Sequence, residues 1–93
     1  MKIIKKVQQR YFEDIVDGKK QFEVRLADFR CKPGDVLLLK EQRQGTKKLT
    51  GREHEFEVLY KLNTKEVYKW YSKKEIEKHG LLILSIRKKF RHK

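Results

Sequence analysis

Gly18-Lys19-Lys20-Gln21-Phe22-Glu23-Val24-Arg25, followed by Lys32-Pro33-Gly34-Asp35, is the stretch on which the reading of this chain turns. From Gln21 to Leu26 the residues alternate. Phe22 and Val24 fall on one side, and Gln21, Glu23 and Arg25 on the other, as in a strand with one buried and one polar face. Lys20 stands at the turn that enters this strand. Glu23 and Arg25 lie two apart on one face, so their side chains are neighbours. A carboxylate in that place can hold the guanidinium in a bidentate geometry and present its remaining donors to a phosphate or a base edge. The plainer alternative is a strand-surface ion pair, worth little. Lys20 has the same two readings: a flexible ammonium contacting phosphate or carbonyl, or a solvated turn lysine beside Lys19.

Working outward, Lys2 to Val7 carries Ile3, Ile4 and Val7 and reads as a first strand. Arg10 to Asp17 reads as a helix with Tyr11, Phe12, Ile15 and Val16 on one face, and Gly18 is placed to stop it. Pro33-Gly34-Asp35 signals a turn. Val36 to Glu41 follows as a mostly buried strand. Gln42 to Leu49 is polar, contains Gly45 and reads as a mobile loop, and Thr50-Gly51-Arg52 as a second turn. His54 to Lys61 alternates again, with Phe56, Val58 and Tyr60 on one side. Asn63 with Glu66, and Ser72 with Glu75, have capping-box spacing and open two helical stretches. Val67, Trp70 and Tyr71 form a stripe there, with Trp70 read as core and Tyr68 as an exposed aromatic among lysines. Leu81 to Ile86 reads as a last buried strand, and the residues after it as a basic tail.

The order is therefore strand, helix, three strands, helix, strand. Five short strands with two main helices predict an α+β domain built on a small barrel-like sheet. A doubly wound parallel sheet would need a helix between most strands.

Ninety-three residues suit one domain. A chain this short buries roughly 60–65% of the surface its unfolded form exposes, enough to fold alone without much reserve. Net charge is +12, from 25 Lys and Arg against 13 Asp and Glu. Without Arg87, Lys88, Lys89, Arg91 and Lys93 the balance is still +7. Such an excess favours a polyanion such as nucleic acid; solubility is the bland alternative. A single cysteine, Cys31, excludes an intramolecular disulfide and a cysteine-rich zinc site, and argues for a reducing, cytoplasmic setting. His54, His79 and His92 have no ligand spacing, so no metal and no cofactor is expected. The N-terminus lacks the apolar region of a secretion signal. The longest apolar run, Leu81 to Leu84, is far short of the ~20 residues of a membrane span.

Several of these residues together resemble a known family. Tyr11-Phe12, Gly18, Lys20, Phe22-Glu23-Val24-Arg25, Asp28, Gly34-Asp35, Leu37-Leu38-Leu39-Lys40-Glu41 and Thr50-Gly51-Arg52 are similar, in order, to the ASCH superfamily, a branch of the PUA-like barrels. The match is closest to short phage and bacterial proteins known as a domain of unknown function. The resemblance implies a PUA-like β-barrel of about five strands spanning 1–87, with 88–93 as a basic C-terminal tail. It also implies a cleft beside Lys20 to Arg25 and an RNA-linked role.

One enzymatic branch of that superfamily deacetylates acetylated cytidine with a lysine, a hydroxyl residue and a distal acid. Lys20 matches the lysine, whereas Glu23 stands where the hydroxyl residue would be. Leu26-Ala27 and Phe29-Arg30-Cys31 also depart from the usual polar loop.

Two functions follow as expectations. The first is a monomeric binding module for RNA or a modified nucleotide, using Lys20, Glu23, Arg25, Lys40, Arg52 and Tyr68. Arg52 follows a turn whose backbone N–H groups could approach an anion, and Tyr68 could stack a base. The second is a small amidohydrolase acting on an acylated nucleoside, with Lys20 as acid/base and Glu23 or Glu41 activating water. Glu41 ends an apolar strand, so it is either a distal acid facing the cleft or the point where the strand reaches water.

Overall fold

The computed structural model describes residues 1–89. Its framework is a three-stranded sheet in the order β1-β2-β3. Strand β1 is Lys2–Gln8, helix α1 is Gln9–Val16, β2 is Val36–Gln42 and β3 is Leu49–Glu57. A short 3-10 helix, Thr64–Lys69, and a second α-helix, α2, Lys73–His79, complete the regular structure. Strands β1 and β2 run parallel, from Lys2 opposite Val36 to Gln8 opposite Gln42. Strands β2 and β3 are antiparallel, with Leu37 opposite Phe56 and Lys40 opposite Glu53.

The core lies between the sheet and α1. Val7, Phe12 and Leu39 are buried together, and Ile15, Leu37 and Phe56 pack against them. The expected apolar face of α1 is narrower than its four residues: Phe12 is buried and Ile15 half-buried, whereas Tyr11 and Val16 are exposed. The helix ends where expected. Gly18 adopts φ +77 and donates to the Ile15 carbonyl at 3.1 Å, a left-handed conformation that glycine takes without a Cβ penalty.

The antiparallel register shifts between Lys40 and Gln42. Opposite that shift, Thr50-Gly51-Arg52 is not a separate turn but an irregularity inside β3. Gly51 takes φ +95 there with open space around it. Conformation rather than crowding therefore selects glycine, as at a β-bulge. Gln42 to Leu49, expected as a mobile loop, is a closed turn. Arg43 donates to the Lys48 carbonyl at 2.8 Å and Thr46 to the Arg43 carbonyl at 2.9 Å.

The expected barrel of about five strands is not closed. Among the described residues the sheet has three strands. Gln21–Leu26 and Leu81–Ile86 form no ladder, and β3 stops at Glu57 rather than running to Lys61. Alternation predicts which side chains suit a pleated surface, but a strand also needs an edge on which its backbone groups pair. The 21–26 segment meets 81–86 through a side chain instead: the Gln21 amide donates to the Ser85 hydroxyl at 2.8 Å.

The second half has little core. Val67 is buried, but Trp70, read as core, is 60% exposed. Only the Ser72–Glu75 box forms completely, with both reciprocal hydrogen bonds present. Asn63 caps the 3-10 helix by accepting from the Lys65 amide at 2.9 Å. Of the expected basic tail, residues 90–93 lie outside the described residues. No described helix is long and apolar enough to cross a membrane.

Candidate functional site

Lys20 is positioned by the end of α1. The backbone amides of Lys19 and Lys20 both donate to the Asp14 carbonyl at 3.0 Å, wrapping the chain over the last turn. The Lys20 ammonium then donates to Glu23 Oε1 at 3.1 Å. It also sits 5.1 Å from the centre of the Phe22 ring and 5.5 Å from that of Tyr11. Arg25 Nε donates to the other Glu23 oxygen, Oε2, at 2.7 Å. Arg25 Nη2 is 2.7 Å from the same oxygen and donates to the Lys6 carbonyl at 2.5 Å. One carboxylate therefore serves two cations, one oxygen each, and the group is tied to β1 through Arg25.

These three side chains are 18%, 16% and 29% exposed, well sheltered for charged groups beside a surface cleft. The cluster keeps a net charge of +1. Arg25 Nη1 has no hydrogen-bond partner among the described residues, and Lys20 engages one acceptor with an ammonium that carries three protons. The cluster therefore has donors left for a ligand. It lines a cleft of about 360 Å³. Lys6, Val7, Gln8, Tyr11, Val24 and Gln42 line it too.

Glu41 belongs to a second cluster. Its side chain is 1% exposed and accepts from the Thr50 hydroxyl at 2.6 Å and from Arg52 Nη1 at 3.4 Å. Arg52 also pairs with Glu13 of α1, and its guanidinium lies 5.1 Å from the centre of the Phe12 ring. The Glu13 hydrogen bond holds the Arg52 pKa above its ordinary value; partial desolvation opposes this, and the charges of Glu13, Glu41 and Asp17 add to it. Glu41 thus does not mark the point where β2 reaches water. It is a buried carboxylate beside the core, and Arg52 straps β3 to α1.

The structure brings together Lys20, Glu23 and Arg25, as the sequence motif implied. It places Glu41 and Arg52 with each other rather than in that cleft. Lys40, opposite Lys6 and Glu53 in the sheet, and Tyr68, 56% exposed on the 3-10 helix, do not line it either. Sequence reasoning missed Gln8, Gln42 and the cleft role of Tyr11. Gln8 and Gln42 are 34 residues apart and meet only through the parallel register of β1 and β2. Tyr11 was visible as one member of a helix face and of the family resemblance, with no role in the cleft assigned to it. Among the described residues, no group of three or more His, Cys, Asp or Glu is arranged to hold a metal ion.

Residues 4–86 match the model of a family described as a domain of unknown function, DUF3850. The chain belongs to the DUF3850 family. No curated protein and no solved structure gives a match. The family match spans both clusters of this DUF3850 domain, from Val7 beside the cleft to Ser85, which accepts from the Gln21 amide at the start of the motif segment.

Proposed function

We propose that this DUF3850 domain is an ASCH-like binding module of the cytoplasm that holds RNA, or a modified nucleotide, in the cleft beside Lys20, Glu23 and Arg25. The observation that carries the reading is the sharing of Glu23 between the two cations. It fixes the Lys20 ammonium and the Arg25 guanidinium on one wall while leaving donors for phosphate or a base edge. Tyr11, 46% exposed, supplies an aromatic surface at the same cleft, and bases stack on such rings with little regard to sequence. The +12 charge of the chain supplies long-range attraction for a polyanion.

Binding is favoured over hydrolysis of an acylated nucleoside by the state of the carboxylates. Glu23 accepts from both cations, and Glu41 accepts from Thr50 and Arg52. A general base needs a carboxylate within reach of water or substrate; Glu41 is 1% exposed, and each Glu23 oxygen is held against a cation.

The test is an amide-shift titration of the labelled domain with short single-stranded RNA, the matching DNA and acetylated cytidine at two salt concentrations. Shifts clustered at Lys20 to Arg25 and at Tyr11 are expected with RNA. Lys20→Ala and Arg25→Ala should each weaken binding and lower the logarithmic salt slope by about 0.7, one phosphate contact on a single strand. Salt-insensitive binding, or shifts confined to the lysine-rich 3-10 helix and α2, would overturn the reading. Release of acetate from acetylated cytidine would favour the hydrolase.

A further inference from the structure

We infer that the β2–β3 turn is the second half of the binding surface, held in place by Gln8, and that the ligand is a strand of several nucleotides rather than a single nucleotide. This rests on the RNA reading of the Lys20–Glu23–Arg25 cleft.

The turn is fastened to the cleft by side chains from outside it. Gln8, at the end of β1, lines the cleft. Its Nε2 donates to the Thr46 carbonyl at 2.9 Å and to Gln42 Oε1 at 3.2 Å, while its Oε1 accepts from the Gly45 amide at 2.7 Å. One side-chain amide thus uses both its donor and its acceptor ends on residues 42–46. A second fastening runs the other way: Gln44 Oε1 accepts from the Arg10 amide in the first turn of α1 at 3.0 Å. Within the turn, the Thr46 hydroxyl donates to the Arg43 carbonyl at 2.9 Å and accepts from the Lys48 amide at 3.1 Å. A turn serving only to join two strands needs none of the bonds to Gln8 and Arg10.

What the fastening holds next to Gln8 and Gln42, two residues of the cleft lining, is charge. Arg43, Lys47 and Lys48 are exposed, and none forms an ion pair with a described residue. No acid occurs between Gln42 and Arg52. In contrast, two of the three cations that line the cleft, Lys20 and Arg25, share Glu23, and Lys6 is the third. A base or nucleotide in the cleft therefore meets a nearly balanced cluster, and its neighbouring phosphates meet an unbalanced cationic rim. Three rim cations have nothing to contact in a lone nucleotide already seated in the cleft, but they match the successive phosphates of a strand leaving it. Gln8 is then a positioning residue, acting through the turn.

The experiment compares an RNA of about eight nucleotides, within the usual single-strand site size, with uridine monophosphate, by fluorescence-anisotropy competition across a salt series. Hydrogen exchange of the Gly45 amide is followed in parallel. Replacing Arg43, Lys47 and Lys48 together by Ala should weaken the RNA roughly tenfold or more and lower the salt slope by about 2, three contacts at about 0.7 each. The preference for RNA over the mononucleotide should shrink with it. Gln8→Ala should speed Gly45 exchange and weaken RNA binding several-fold with the three cations still present. If the wild-type domain binds the RNA and Lys20→Ala weakens it, but the triple variant keeps its affinity and slope, the inference is wrong and the cleft reading stands. If the wild-type domain binds no RNA at low salt, both fall. Unchanged Gly45 exchange in Gln8→Ala would remove the positioning role.

Discussion

Phe12→Leu probes the link between packing and the cleft most directly. Phe12 is 2% exposed and is the only fully buried residue of α1. It packs with Val7 of β1 and Leu39 of β2, so it is the contact that seats the helix on the sheet. Truncation to Ala should cost about 3–5 kcal/mol, because a cavity remains where the ring was. A 93-residue domain has a total stability of roughly 5–14 kcal/mol at the usual 0.05–0.15 per residue. With only five apolar side chains buried among the described residues, this domain belongs near the lower end, and the Ala variant would leave little folded protein to study. Leucine keeps most of the volume, and such swaps cost about 1–1.5 kcal/mol. For a domain of this size that lowers the melting midpoint by roughly 4–12 °C.

The comparison is Tyr11→Leu, one residue earlier and exposed, which should stay within about 0.5 kcal/mol, or under about 4 °C. Both are read by circular dichroism melts. A midpoint for Phe12→Leu no lower than that of Tyr11→Leu would refute the claim that α1 is seated through this ring. The same variant reports on the site. Lys19 and Lys20 hang from the Asp14 carbonyl of α1, so a helix that loosens should move the Lys20 amide resonance. A destabilised variant whose Lys20 amide shift is unchanged would mean that the motif segment is held independently of the helix.

Two further outcomes are expected. The Asp35 carboxylate, buried beside the start of β2, accepts from the Lys32 amide at 3.0 Å and from the Met1 ammonium at 3.1 Å. Those hydrogen bonds, the Lys32 amide foremost, hold its pKa below the ordinary 3.8 against the opposing effect of burial. A pKa lowered by folding contributes stability that is complete above the unfolded value and lost as pH falls through the folded value. The wild-type midpoint should therefore drop below about pH 4 more steeply than that of Asp35→Asn, and parallel pH curves in melts would contradict this. Glu41→Gln should fold and bind RNA like the wild type more closely than Glu41→Ala, which leaves the Thr50 hydroxyl unpaired beside a void and should cost about 2 kcal/mol or more. Loss of RNA binding in a fully folded Glu41→Gln protein would put this carboxylate back at the site.

What the sequence made legible was local. Lys20, Glu23 and Arg25 span six positions, so their meeting required only a short excursion of chain, and the motif spacing was enough. The strands β1 and β2 and the helix α1 announced themselves through apolar runs and the Gly18 stop. What stayed hidden depended on contacts between distant residues. Nothing in the 42–49 stretch reveals that Gln8 and Arg10 will fasten it, because those bonds exist only once β1 and β2 are in register. Arg52 read as an anion-binding turn residue until Glu13 and Glu41 arrived from two other elements. The segments 21–26 and 81–86 misled for the opposite reason. Their alternation and apolar content suit a strand, but those properties describe side chains, and sheet membership depends on where backbone groups find partners.

The residues assigned to binding are also those that hold the motif segment in place. Without a ladder, 21–26 is fixed by the Lys20–Glu23 and Arg25–Glu23 pairs, by the Arg25 contact to the Lys6 carbonyl, and by Gln21 on Ser85. A phosphate entering the cleft meets the donors that Glu23 leaves free, Arg25 Nη1 and the remaining Lys20 protons, with Glu23's negative charge beside them. The cluster therefore adds less attraction than two unpaired cations would, and more orientation. Attraction comes from elsewhere: the overall +12 charge and the unpaired cations of the β2–β3 turn act at longer range and are screened by salt. Charge in the cleft and charge at the rim thus have separable signatures. Rim cations contribute the larger share of the salt slope, about 2 against about 0.7 for each cleft cation, and Glu23 fixes the orientation of the cleft donors. Neutralising Glu23 should then raise affinity for a generic polyanion while eroding discrimination between ligands, whereas removing Arg25 should lower affinity, both read by the same anisotropy competition.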